Sequence, residues 1–121
     1  MEGQQHTESD EISIKTHRLN SKWVVWYHNP SDKSWGKDSY KDILEIHTLE
    51  DYLVLKNSWN KCLPSVSEGM FFLMRKLDSG KVILPQWEDV NNKDGGYWPF
   101  KINKDNAQEV WFKLCSFTIG E

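Results

Sequence analysis

Apolar residues recur along this chain with two different periods, and the periods alternate. Over 19–28, Trp23, Val25 and Tyr27 alternate with Val24, Trp26 and His28, so the stretch reads as a strand with cover needed on both faces. Helices would supply one cover, and a ligand or loop part of the other. Residues 40–46, centred on Ile43 and Leu44, predict a second strand, and 69–76, built on Met70, Phe71, Phe72, Leu73 and Met74, a third. A fourth is expected over 97–102. Asn29-Pro30-Ser31-Asp32 is a turn cluster that opens a polar loop containing Trp35. Asp78-Ser79-Gly80 is another turn, and a short apolar run at 82–84 leads into a polar loop over 87–96.

The helical period appears twice. Thr48 is a good N-cap, with Glu50 and Asp51 in the first turn, where the helix dipole favours acids. Tyr52, Leu55 and Trp59 then form a core-facing stripe, while Leu49 and Leu53 form a separate pair expected to be half exposed. Asn106 with Glu109 resembles a capping box for a second helix, with Val110, Trp111, Leu114, Phe117 and Thr118 toward the core and Gly120 as terminator. The expected fold class is α+β, an antiparallel sheet backed on one face by helices. Trp23, Trp26, Trp98 and Trp111 fall in these elements and are expected in the core.

Composition narrows the function. At 121 residues the chain has room for one domain, expected over 16–121 behind a flexible acidic tail at 1–15. The net charge of −3 argues against a partner gripped through phosphates alone, so binding must be local, at a site, or must involve protein partners. No run of about eighteen apolar residues and no apolar leader are visible, so a soluble, non-secreted chain is expected. Cys62 and Cys115 match no metal spacing and read as free thiols. His6, His17, His28 and His47 are scattered and pair with no nucleophile, so no enzyme, cofactor or metal is expected.

One run carries chemistry: Pro85-Gln86-Trp87-Glu88-Asp89, followed by Gly95-Gly96-Tyr97-Trp98. An indole beside a carboxylate offers a stacking face together with an acceptor for two parallel N–H groups. Guanine presents such an edge, N1–H and N2–H₂, and a cationic guanine would stack better still. Trp35 shares the polar loop context of Trp87. From the residues alone, packing and ligand-facing roles stay equally open for both.

The full run from Trp87 to Trp98 resembles the eukaryotic translation initiation factor 4E family, which binds the 7-methylguanosine cap of messenger RNA. The resemblance also rests on His17-Arg18-Leu19 with Trp23 and Trp26, on Asp32-Lys33-Ser34-Trp35, on Thr48-Leu49-Glu50-Asp51-Tyr52 and on Ile119-Gly120-Glu121. It implies a sheet with helices on its convex face, of which this chain carries the N-terminal two-thirds, without the family's C-terminal strands and their phosphate-gripping bases. It implies further that Trp35 and Trp87 sandwich the methylated base. Glu88 and the Trp87 main-chain N–H would meet its edge, with Asp89 outside the base contact. An Arg of the family pattern is Tyr97 here, and Lys93 or Lys101 is left for the phosphates.

A partner helix with a Tyr-x-x-x-x-Leu-hydrophobic motif, from an initiation scaffold or a binding protein, would dock on His17, Leu49, Leu53, Phe112 and Lys113. Arg18, Leu53 and Lys113 stand where the family has Pro, Trp and an acid, which implies altered partner choice. The implied location is the cytoplasm, with the nucleus also allowed. The alternative is a regulatory paralogue that occupies initiation partners and has little or no affinity for caps.

Overall fold

The computed structural model describes residues 16–121, so the tail expected over 1–15 lies outside the described residues. Three strands form one antiparallel sheet: β1 (Arg18–His28) lies between β2 (Tyr40–Thr48) and β3 (Met70–Lys76). Two helices, α1 (Leu49–Cys62) and α2 (Ala107–Ile119), cover one face. On that side Trp23 and Val25 of β1 and Ile46 of β2 meet Tyr52, Leu55 and Trp59 of α1 and Phe112, Cys115 and Ile119 of α2. Trp59 is fully buried at the centre, its ring 5.3 Å from Phe112 edge-on and 4.7 Å from Phe71. Its indole N–H donates to the Pro64 carbonyl at 2.9 Å, so even the polar atom of this large side chain is satisfied.

The start of α1 follows from its sequence. Thr48 Oγ1 accepts from the Asp51 N–H, and the Asp51 carboxylate accepts in return from the Thr48 N–H. The start of α2 departs from expectation. Asn106 makes no side-chain cap, because a 3₁₀ turn over Lys104–Asn106 puts it in a helical conformation, and Asn103 caps that turn through the Asp105 N–H. The buried stripe of α2 is also turned. Phe112, Cys115 and Ile119 face inward with Trp111 half-buried, whereas Leu114 is half exposed and Phe117 stands in solvent. Trp59 and the Tyr52 hydroxyl, which donates to the Phe112 carbonyl at 2.8 Å, fix the helix in that rotation.

The fourth strand expected over 97–102 is absent: that segment carries no assigned secondary structure. Pro99 supplies no ladder donor, and the chain's own return at 81–83 occupies part of the outer edge of β3, with the Ile83 N–H on the Arg75 carbonyl at 3.0 Å. Trp98, expected in the core, is therefore 94% exposed.

A shift of register in β2 decides what lies on the face away from the helices. Val25 pairs with Leu44 but Trp26 pairs with Asp42, so Ile43 is one extra residue in the strand. Leu44 and Ile46 consequently pack toward the helices, while Tyr40 joins Trp26 and His28 on the opposite face. Tyr40 there meets His28 at 5.1 Å and Phe72 at 5.7 Å between ring centroids.

Candidate functional site

Two loops rise over this second face, and each brings one indole to the same cleft. The first links β1 to β2 and holds Trp35, whose ring stacks on His28 at 4.0 Å and 14°. The second follows β3 and holds Trp87 and Glu88. Asp89 organises it: its carboxylate accepts from the Leu84 N–H and the Asn91 N–H, each at 2.9 Å. Those two bonds, the Leu84 N–H first, hold the Asp89 carboxyl below its ordinary value. Asn92 closes the loop by donating to the carbonyls of Leu84 at 2.8 Å and Gln86 at 3.0 Å. The loops are joined by Gln86, whose side-chain amide donates to the Trp35 carbonyl at 2.9 Å.

Trp35, Tyr40, Pro85, Gln86, Trp87 and Glu88 line one open cleft of about 360 Å³. Trp35 is 52% and Trp87 72% exposed, so both present free aromatic surface. Burial raises the Tyr40 phenol above its ordinary value, and the charge of Glu88 adds to the effect. The cleft thus pairs stacking faces with an acceptor. It suits a flat ring with N–H donors on one edge, favoured further by positive charge. A second hollow of about 510 Å³ adjoins Trp87 and is lined by Phe72, Asn91, Asn92, Lys93 and Tyr97 among others. Lys93 is thereby near Trp87, whereas Lys101 lies on the exposed 97–102 segment and lines neither hollow.

Residues 18–121 match the family described as eukaryotic initiation factor 4E. The chain belongs to that family. It is 30% identical over 127 residues to eukaryotic translation initiation factor 4E-2 of Schizosaccharomyces pombe, an alignment that spans 100% of this chain and 49% of the relative. It is also 30% identical over 120 residues to the initiation factor 4E of Eremothecium gossypii, covering 95% of this chain and 54% of that one. The chain therefore spans about half the length of the curated relatives it matches. Among solved structures it resembles C. elegans eIF4E-3 in complex with the 4E-binding protein Mextli and cap analog, at TM-score 0.71 and 25% identity over 88% of this chain and 58% of that one. Ascaris suum eIF4E-3 with m7G cap gives TM-score 0.69 and 27% identity over 88% and 59%. The α+β architecture, an antiparallel sheet backed by helices, is that of the family.

The helical face holds the other residues singled out from the sequence. Leu49 and Leu53 are 38% and 43% exposed on α1. His17 is tied to the start of α1, its N–H and Nδ1 on the Glu50 carboxylate at 2.9 and 2.6 Å and its carbonyl accepting from the Leu49 N–H at 2.8 Å. The two bonds on its carboxylate, the backbone one first, lower Glu50 to about 2. Lys113 is exposed and lies 3.8 Å from Glu109. Phe112 differs from expectation. It belongs to the core, because the rotation of α2 that accommodates Trp59 turns its ring inward, and Lys56 lies over that ring at 5.9 Å.

Sequence reasoning missed Tyr40, Gln86, His28 and the loop-holding role of Asp89. Only Asp89 left a local trace, since Asp-Val-Asn is an acid two residues before an N–H it can accept from. Among the described residues no helix is long and apolar enough to cross a membrane.

Proposed function

We propose that the chain binds the 7-methylguanosine cap of messenger RNA in translation initiation, with the base between Trp35 and Trp87 and its N1–H and N2–H₂ edge on Glu88. The observation that carries this reading is the shared cleft, where two exposed indoles and one carboxylate converge from separate loops. Stacking contributes roughly 1–3 kcal/mol per base, and N7-methylation adds a charge that an indole face favours. The likeness to Ascaris suum eIF4E-3 with m7G cap supports the same assignment. Cap recognition for initiation would put the protein in the cytoplasm. The test is quenching of tryptophan fluorescence by 7-methyl-GTP, with much weaker quenching expected from GTP. Equal quenching by both would remove the cap-specific reading.

A second observation favours a protein partner as well. Leu49 and Leu53 form a neighbouring apolar pair on α1 that the core leaves uncovered. Docking of a partner helix with a Tyr-x-x-x-x-Leu-hydrophobic motif there is supported by the likeness to the Mextli complex. With Phe112 turned into the core, the surface consists of His17, Leu49, Leu53 and Lys113. Leu53→Trp should tighten binding of such a peptide by enlarging the apolar contact. A peptide that binds wild type and variant alike would count against this surface.

A further inference from the structure

His28 ends β1 and is fully buried, yet it is polar, and its ring lies under the loop that carries Trp35. Its Nε2 is 3.1 Å from the Asp32 carbonyl and its Nδ1 is 3.2 Å from the Ser39 carbonyl. These carbonyls lie on either side of Trp35 in the chain. A neutral imidazole donates to one of them whichever nitrogen carries the proton, and an imidazolium donates to both. The same ring stacks almost parallel on the indole, 4.0 Å away. Apart from the Gln86 amide on the Trp35 carbonyl, the loop's other bonds before Tyr40 are short-range, such as Asp32 N–H to Asn29, Ser34 N–H to the Asp32 side chain, and Ser39 N–H and hydroxyl to Gly36. They shape the loop without placing it over the sheet.

We infer that His28 is a positioning residue for Trp35. It hydrogen-bonds a loop carbonyl beside the indole and supports one indole face, so that the other is presented to the cleft. Gln86 reaches the same loop from the opposite side through the Trp35 carbonyl, so the backbone at Trp35 is held from one direction and its ring from another. The groups facing the imidazole are Trp35 and the two carbonyls from the loop, Tyr40 from β2 and, by register, Met70 from β3. The stack and the hydrogen bonding are separable by substitution. Phenylalanine keeps a ring under the indole and removes the hydrogen bond to the loop, whereas alanine removes everything. The effect on Trp35 is independent of what the cleft binds. The effect on affinity rests on the cap-binding reading, because an indole fixed beforehand has less freedom to lose when a base stacks on it.

The test has one readout without ligand and one with it. The side-chain N–H of Trp35, assigned through Trp35→Phe, should show the heteronuclear NOE of an ordered group in wild type. It should fall partway in His28→Phe and to that of a mobile side chain in His28→Ala. Thermal melts identify a variant that fails to fold, and His28→Phe then decides the matter alone. For 7-methyl-GTP, His28→Ala should weaken binding about tenfold and His28→Phe about threefold. The same His28→Ala change should cost less than about twofold once Trp35 is already alanine. An unchanged NOE in the folded variants overturns the inference, as does an equal affinity loss with and without the Trp35 ring. If wild type fails to bind 7-methyl-GTP, the cap reading falls while the NOE still decides the role of His28.

Discussion

The two faces of the sheet use the same residue type in opposite ways. Under the helices Trp23 and Trp59 are closed in, and Trp59 hydrogen-bonds the Pro64 carbonyl. Over the other face Trp35 and Trp87 sit on loops, Trp35 about half exposed above His28 and Trp87 largely in solvent. An indole between a sheet and a helix contributes area, and its loss leaves a void. An indole on a loop contributes little to the fold but leaves a face free for a guest. The residues around it differ accordingly. Trp59 is ringed by Phe71, Trp111 and Phe112, whereas Trp87 shares its cleft with a carboxylate, an amide and a phenol. Each face should therefore fail in its own assay.

The largest contrast is expected between two alanine substitutions. Trp59→Ala should destabilise the protein by about 3–5 kcal/mol, read as a large fall in melting temperature. Trp87→Ala should change stability by no more than about 0.5 kcal/mol and abolish quenching by 7-methyl-GTP. A stable Trp59→Ala protein, or a Trp87→Ala protein that binds as before, would erase the distinction.

Next in size is Glu88→Gln, which keeps the shape but turns an N–H₂ toward the guanine donors. A loss of at least about tenfold in cap affinity, ~1.4 kcal/mol, is expected at an unchanged melting temperature. Unaltered affinity would move the guanine edge elsewhere. A smaller effect should follow from Asp89→Ala, which frees the Leu84 and Asn91 N–H groups and loosens the loop that carries Trp87. About threefold to fivefold weaker binding is expected, without direct contact to the base. Equal affinity would mean that the loop keeps its form unaided.

The smallest effect belongs to the helical face and to acid. Folding lowers the Glu50 pKa to about 2, so its contribution is complete above the ordinary carboxylate range near about 4.3 and is lost as pH falls through the lowered value. Melting temperature in Glu50→Gln should therefore fall less steeply than in wild type between about pH 4 and pH 2. Parallel curves would show that the tie to His17 adds nothing to stability.

Much of the framework was legible in the sequence, and for a definite reason. The period of two in β1 and the Thr48 cap with its Tyr52, Leu55, Trp59 stripe are local patterns, and the structure keeps them. The rotation of α2 was not legible, because Val110, Trp111, Phe112, Leu114, Cys115, Phe117 and Ile119 put apolar residues nearly all round the helix. Only the packing against Trp59 selects the buried side. Trp98 was misplaced because alternation near an apolar residue cannot say whether a partner strand exists. In the cleft, Trp35, Trp87 and Glu88 stood out through a motif. His28 and Gln86 did not, since each acts through a spatial contact with the Trp35 loop that no local sequence pattern records.

The extra residue in β2 has a consequence for length. Tyr40 faces the cleft because of its partner, His28, and not because of its count from Leu44. Excising Ile43 would bring Asp42 directly before Leu44 and restore unbroken alternation, with Tyr40 still beside His28. A one-codon deletion at Ile43 should be absorbed at the cleft and register only as lost packing beneath α1, because the strand already carries one residue more than its ladder uses.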